Sequence, residues 1–187
     1  MEPLETRTKL PDALRILMQD YPRDGWEGHR HFEGLVRFWL ERHLMFRQMT
    51  ALMQQETEAV LARRMDNRSY SARLAQIGSQ FVQNLHGHHQ IEDGHYFPIL
   101  AKMDPRLQSG FDLLDGDHHA LDGTLQAFVQ SANAVLQTQA DGKALHEAAG
   151  GFTVELARIT ALLDRHLVDE EELVVPVILK HGPGRLG

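Results

Sequence analysis

The sequence predicts an all-α chain: an up-down-up-down antiparallel four-helix bundle with a short N-terminal helical extension. Three observations carry this. Apolar residues recur at spacings of three and four, as in Leu35, Phe38, Trp39, Leu44, Phe46, Met49, Leu52 and Met53, which is the period of one helix face. No alternating run of β-branched residues is long enough for a strand. Turn signals cut the helical pattern into four long stretches, and helices joined by short loops must run antiparallel to their neighbours.

The elements follow in order. A short helix is expected near residues 11–20, and Tyr21-Pro-Arg-Asp-Gly25 links it to a first long helix over about 30–64. Met65-Asp-Asn-Arg-Ser69 is a turn, and a second helix runs over about 70–102. Asp104-Pro105 starts the third, about 105–139, with Asp as N-cap and Pro at the first helical position. Ala140-Asp-Gly142 breaks the chain again before a fourth helix over about 143–180. Residues 1–28 are expected to form an extension capping the bundle, and residues 29–187 the bundle domain.

Composition narrows the function. The chain has 187 residues, one domain by size, and 19 basic against 26 acidic side chains give a net charge of −7. That balance argues against nucleic acid as a partner, because phosphate contacts need clustered Lys and Arg. The absence of cysteine excludes disulfides, thiolate metal sites and iron–sulfur clusters. The N-terminus is charged and lacks an apolar signal core. The longest apolar run, Leu173 to Leu179, is broken by Pro176 and falls far short of the roughly 20 residues of a membrane span. A cytoplasmic protein with no membrane partner is expected. Against these absences stands an excess of histidine, 12 in all.

Two of the histidines belong to an internal repeat. His88-His-Gln-Ile-Glu92 is followed by Pro98, and His166-Leu-Val-Asp-Glu170 by Pro176. In both, Glu follows His by four residues and Pro follows by ten. The first step brings both ligand-type side chains to one helix face, one turn apart. Lone histidines on the other two helices complete the set. The midpoint of His43 and His88 falls in the Met65–Ser69 turn, that of His118 and His166 in the Ala140–Gly142 turn, and that of Glu92 and His118 on Asp104-Pro105. In antiparallel hairpins this puts His43, His88, Glu92, His118, His166 and Glu170 in one layer. Imidazoles and carboxylates inside a bundle need partners, and metal ions satisfy all of them. Mixed imidazole and carboxylate ligation without thiolate suits iron or manganese, with zinc as a further substitute. Two glutamates placed to bridge suggest two ions.

At these residues the sequence resembles the hemerythrin-like (HHE cation-binding) family. The matching pieces are His43 in WLERHLMF, His88 and Glu92 in LHGHHQIEDGHYFPIL, His118 in GDHHAL, and His166 and Glu170 in LDRHLVDEEELVVPVIL, spanning about residues 30–180. The resemblance implies a four-helix bundle with two non-haem iron ions bridged by Glu92 and Glu170. His43 and His88 would serve one iron, and His118 and His166 the other. Oxygen-carrying members place a further histidine where this chain has Asp122. Some regulatory relatives use the residue directly after the second-helix histidine, here His89. The last ligand of the second iron is therefore Asp122 or His89. His95, seven residues after His88, is either an additional ligand, a donor that orients Glu92, or a bystander. His29, His31, His86, His119, His146 and His181 read as surface residues.

The expected function is binding or sensing of O2, NO or iron through this centre. The alternative is a di-iron oxidoreductase acting on peroxide, O2 or NO, and a metal-free helical interaction module is the remaining reading. The expected partners are a diatomic ligand and a separate, unidentified protein that receives any signal.

Overall fold

A computed structural model describes residues 2–184 and Leu186; Met1, Arg185 and Gly187, and with them the outer limits of both expected segments, lie outside the described residues. Those residues are largely helical, with no strand among them. The four long helices are α1 (Leu35–Leu61), α2 (Asn67–Ile91), α4 (Gln108–Gln137) and α5 (Gly142–His181), with a short α3 (Phe97–Met103) continuing the second. No described helix is long and apolar enough to cross a membrane.

Each long helix carries one buried stripe at spacings of three and four. In α1 it runs Val36, Trp39, His43, Phe46, Thr50, Met53, Thr57, Val60. Phe38 and Leu44 lie off this stripe and are exposed, so part of the apolar pattern read from the sequence faces outward. The helix starts are fixed locally. Asp66 Oδ1 accepts from the Ser69 amide at 2.9 Å at the start of α2, and Asp141 Oδ1 accepts from the Lys143 and Ala144 amides at 2.9 and 3.2 Å at the start of α5. Asp104 does not cap in this way. Its buried carboxylate instead binds Arg106 and Lys180, at 2.6 and 2.9 Å, and the bond from Arg106, joined by that from Lys180, holds it well below the usual carboxylate range despite burial.

Two further expectations change. The N-terminal segment forms 3₁₀ turns at Asp12–Leu14, Ile16–Gln19 and Arg23–Gly25 rather than a helix over 11–20. A stretch this short cannot repay helix nucleation by itself, and burial of Leu10, Leu14 and Leu17 sets its path. The second helix is interrupted by a π-helical turn over Glu92–Tyr96. Pro98, lacking an amide hydrogen, leaves the Gly94 carbonyl without its α-helical donor, and the Phe97 amide bonds five residues back to Glu92. Pro176 sits at the equivalent place in α5, yet that helix is continuous. Its counterpart of Gly94 is Glu172, so α5 lacks the glycine that makes the first segment pliable.

The chain divides into two compact units. The first comprises Met1–Leu44, His88–His119 and Asp164–Gly187. Its core joins Leu10, Leu14, Leu17 and Trp26 of the N-terminal segment to Trp39, Phe97, Leu114 and Ile178. Gly110 lets α4 approach α5 closely, since a Cβ there would lie 2.8 Å from a methyl of Leu173. Gly182 closes α5 in the left-handed region at φ 77°, its amide bonding to the Ile178 carbonyl at 2.8 Å. The second unit comprises Met45–Gly87 and Ala120–Leu163. Phe46, Phe81, Phe128 and Phe152 form a chain of ring contacts through it, with centroids 6.3, 5.5 and 5.4 Å apart in turn. Tyr70 is fully buried there with its hydroxyl 2.9 Å from that of Thr57.

Candidate metal centre

The site lies wholly in the first unit and is built at core positions. His43, His88, His118 and His166 continue the buried stripes of α1, α2, α4 and α5, where an apolar side chain would otherwise sit. The structure gathers two groups of ligand-type side chains. His43, His88, Glu92 and Glu170 form one, and His89, His118 and His166 the other; within each group one ligand atom per residue lies within 4.8 Å of the rest. All seven are buried.

The rings are presented in a consistent way. The Nε2 atoms face one another, with His43 and His88 at 3.3 Å and His118 and His166 at 3.1 Å. Three Nδ1 atoms point outward to carboxylates. His43 Nδ1 lies 3.0 Å from Glu171 Oε1, His118 Nδ1 2.8 Å from Asp93 Oδ1, and His166 Nδ1 3.4 Å from Asp117 Oδ2. A ring that donates Nδ1–H to a carboxylate has its Nε2 lone pair free and aimed inward, as a metal ligand requires.

The two glutamates reach both groups. Glu92 Oε1 is 2.9 Å from His88 Nε2, and its Oε2 is 3.6 Å from His118 Nε2. Glu170 Oε2 lies between His43 Nε2 at 3.4 Å and His166 Nε2 at 3.5 Å, while its Oε1 accepts the indole N–H of Trp39. These inward contacts lack hydrogen-bond alignment: both oxygens of Glu92, Oε2 of Glu170 and Nε2 of His89 are buried with no hydrogen-bond partner. Such groups are costly to bury. Their convergence on one space is what a cation site requires, and the donor set fits metal ions.

The electrostatics agree. Burial drives His88 down to about 3 and His89 well below the imidazole range, and burial lowers His166 despite Asp117. Lowered in this way, these three rings favour the neutral form that binds metal. Burial opposes the charge of His43, but Glu170 and Glu171 outweigh it and raise that ring. Burial and the Glu170 charge push Glu92 far above the carboxylate range, whereas Glu170, despite its burial, is held well below it chiefly by the charge and hydrogen bond of His43. Two carboxylates confined together without a cation cannot both ionise freely.

The structure distinguishes the remaining candidates. His89 is brought in: its ring stacks on His118 at 3.9 Å and meets His166 edge-on at 5.6 Å. Asp122 is exposed, lies in the second unit and lines a surface groove with His86. His95 is also exposed. The π-helical turn underwinds the chain between it and His88, so it leaves the stripe it would occupy in a regular helix. Of the six histidines read as surface residues, His86, His119 and His181 are exposed and His29, His31 and His146 half-buried. His31 and His146 bond to the Leu179 and Val60 carbonyls, each at 2.8 Å. The orienting carboxylates Asp93, Asp117 and Glu171 escape sequence reasoning, because a carboxylate next to a ligand in sequence looks like any exposed charge.

A helical scaffold carrying histidine and glutamate on its inner stripes defines a cation-binding α protein. The comparison with known families makes this specific: the hemerythrin HHE cation binding domain matches residues 34–178, and the chain belongs to that family. No curated protein and no solved structure matches it.

Proposed function

We propose that the chain holds two iron ions and binds or senses O2, NO or iron through them. His43 and His88 would serve one ion; His118, His166 and His89 would serve the other; Glu92 and Glu170 would bridge. The observation that carries this reading is Glu92, which offers one oxygen to each histidine group and has no hydrogen-bond partner for either. Iron bound there would supply reversible redox change and affinity for a diatomic ligand, while manganese or zinc fits the same donors. The residues contribute orientation and exclusion of water: Asp93, Asp117 and Glu171 hold the rings, and Trp39 and Phe97 pack against His88 and His118. In each unit the helix pairs meet with one index falling as the other rises, as in Phe46–Phe81 with Thr57–Tyr70, and His89–His118 with Phe97–Phe111. This supports the up-down-up-down order.

The test is an optical spectrum of the iron-loaded protein, first anaerobic and then exposed to O2 or to NO. A stoichiometric change with either gas supports a binder or sensor. Sustained consumption of peroxide, O2 or NO with a reductant would favour the oxidoreductase instead. An iron-loaded protein whose spectrum answers to neither gas would contradict the diatomic-ligand reading.

A further inference from the structure

The acidic groups that orient the ligand rings are themselves held, and the holders come from outside the family match. Arg7 inserts its guanidinium, 1% exposed, between α4 and α5. It donates to both oxygens of Asp117, from Nη1 to Oδ1 at 3.2 Å and from Nη2 to Oδ2, and its Nε donates to Asp169 Oδ2 at 2.8 Å. Asp117 Oδ2 is the atom facing His166 Nδ1. Arg23 donates from Nη1 to Glu171 Oε2 at 2.7 Å, and the other oxygen of Glu171 faces His43 Nδ1. The Arg23 guanidinium also stacks 4.6 Å from the centroid of the buried Trp26 ring, which steadies it. Each arginine thus ends a two-step relay, one toward each histidine group. Both precede residue 34, where the family match begins.

We infer that Arg7 and Arg23 are positioning residues of the two-ion centre: the N-terminal segment clamps Asp117 and Glu171, and through them sets how His166 and His43 present Nε2 to metal. The inference rests on the metal-binding reading above. A carboxylate gripped by an arginine is fixed in its own orientation, and the oxygen it turns toward the ring N–H then sets the tautomer and angle of the imidazole. A bidentate guanidinium does this better than an ammonium, which is a point charge without the fork. Without the clamp the carboxylate is free to swing toward water, and the ring it holds loses its orientation. The relay through Arg7 is buried and forked, while Arg23 is about half exposed and singly bonded. The first therefore holds its carboxylate more tightly.

The experiment uses the full chain, stripped of metal and titrated with Zn2+ against a competing chelator. Ring N–H signals of the zinc-loaded protein are followed by 15N NMR. Wild type is expected to take two zinc ions. R7Q should lose about ten-fold in affinity at one site, the low end for groups that orient a ligand, and should move the Nδ1–H signal of His166 while leaving that of His43. R23Q should give the reverse pattern with a smaller loss. R7K should recover part of the affinity but not the wild-type His166 signal. R7Q removes the guanidinium from the buried Asp117 and leaves Asp169 with Arg165 alone; should it fail to fold, R23Q and R23K carry the same test. Two strong zinc sites and unmoved ring signals in the variants would overturn the inference alone. So would loss of both sites together with both signals in either variant, the mark of general loosening. Failure of wild type to bind zinc, iron or manganese would instead overturn the metal-binding reading and this inference with it.

Discussion

At the scale of single residues, the site depends on which groups are buried with nothing to bond. His89 and Asp122 were equal candidates in the sequence, since each occupies a position that family relatives use. The structure separates them by burial and by the stacking of His89 on His118. H89A should therefore lower the affinity of the second metal by ten-fold or more, in the range for loss of a group at the centre. D122A should leave metal content unchanged, and elemental analysis of both variants checks the pair. Tyr70 gives a prediction away from the centre. Burial raises its phenol to about 12, so the fold favours the neutral form. The stability this contributes is complete below the unfolded value near 10 and is lost as pH rises through 12. It amounts to about 3 kcal/mol when the whole shift is realised. Melting curves of wild type should fall steeply between pH 10 and 12. Those of Y70F, which cannot ionise, should fall less over the same window.

At the scale of elements, the long helices were legible and their irregularities were not. Spacing of three and four marks α1, α2, α4 and α5 because each buries one stripe, and the turns announce themselves through Asp66 and Asp141. The layer of His43, His88, Glu92, His118, His166 and Glu170 was legible for the same reason: a shared level in paired helices is arithmetic on turn positions. What was hidden depends on tertiary packing. The second and fourth helices read as continuous through Pro98 and Pro176, but the segment with Gly94 becomes π-helical, and that turn moves His95 out of register. The 3₁₀ path of the N-terminal segment follows the core it covers, which no local propensity encodes. The caps give a direct test: D141A removes the acceptor for two amides at the start of α5 and should cost about 1 kcal/mol. That is roughly 2–4 °C in melting temperature for a domain of this size.

At the scale of the whole molecule, stability and metal binding should be one property. The ligand-type side chains of four helices meet where both oxygens of Glu92, Oε2 of Glu170 and Nε2 of His89 are buried without hydrogen-bond partners, so ions that bind only the folded chain add to its stability. Removing metal with a chelator should lower the melting temperature by on the order of 10 °C, from a few kcal/mol of linked binding. Calorimetry with and without added metal measures this, and coincident curves would show that the centre does not support the fold. The measurement that bears most directly on the account is elemental analysis of the full chain after reconstitution with ferrous iron, beside a variant carrying both E92A and E170A. The account predicts about two iron ions per wild-type chain and a loss of most of that iron in the variant. Equal iron in the two proteins, or none in wild type, would contradict it.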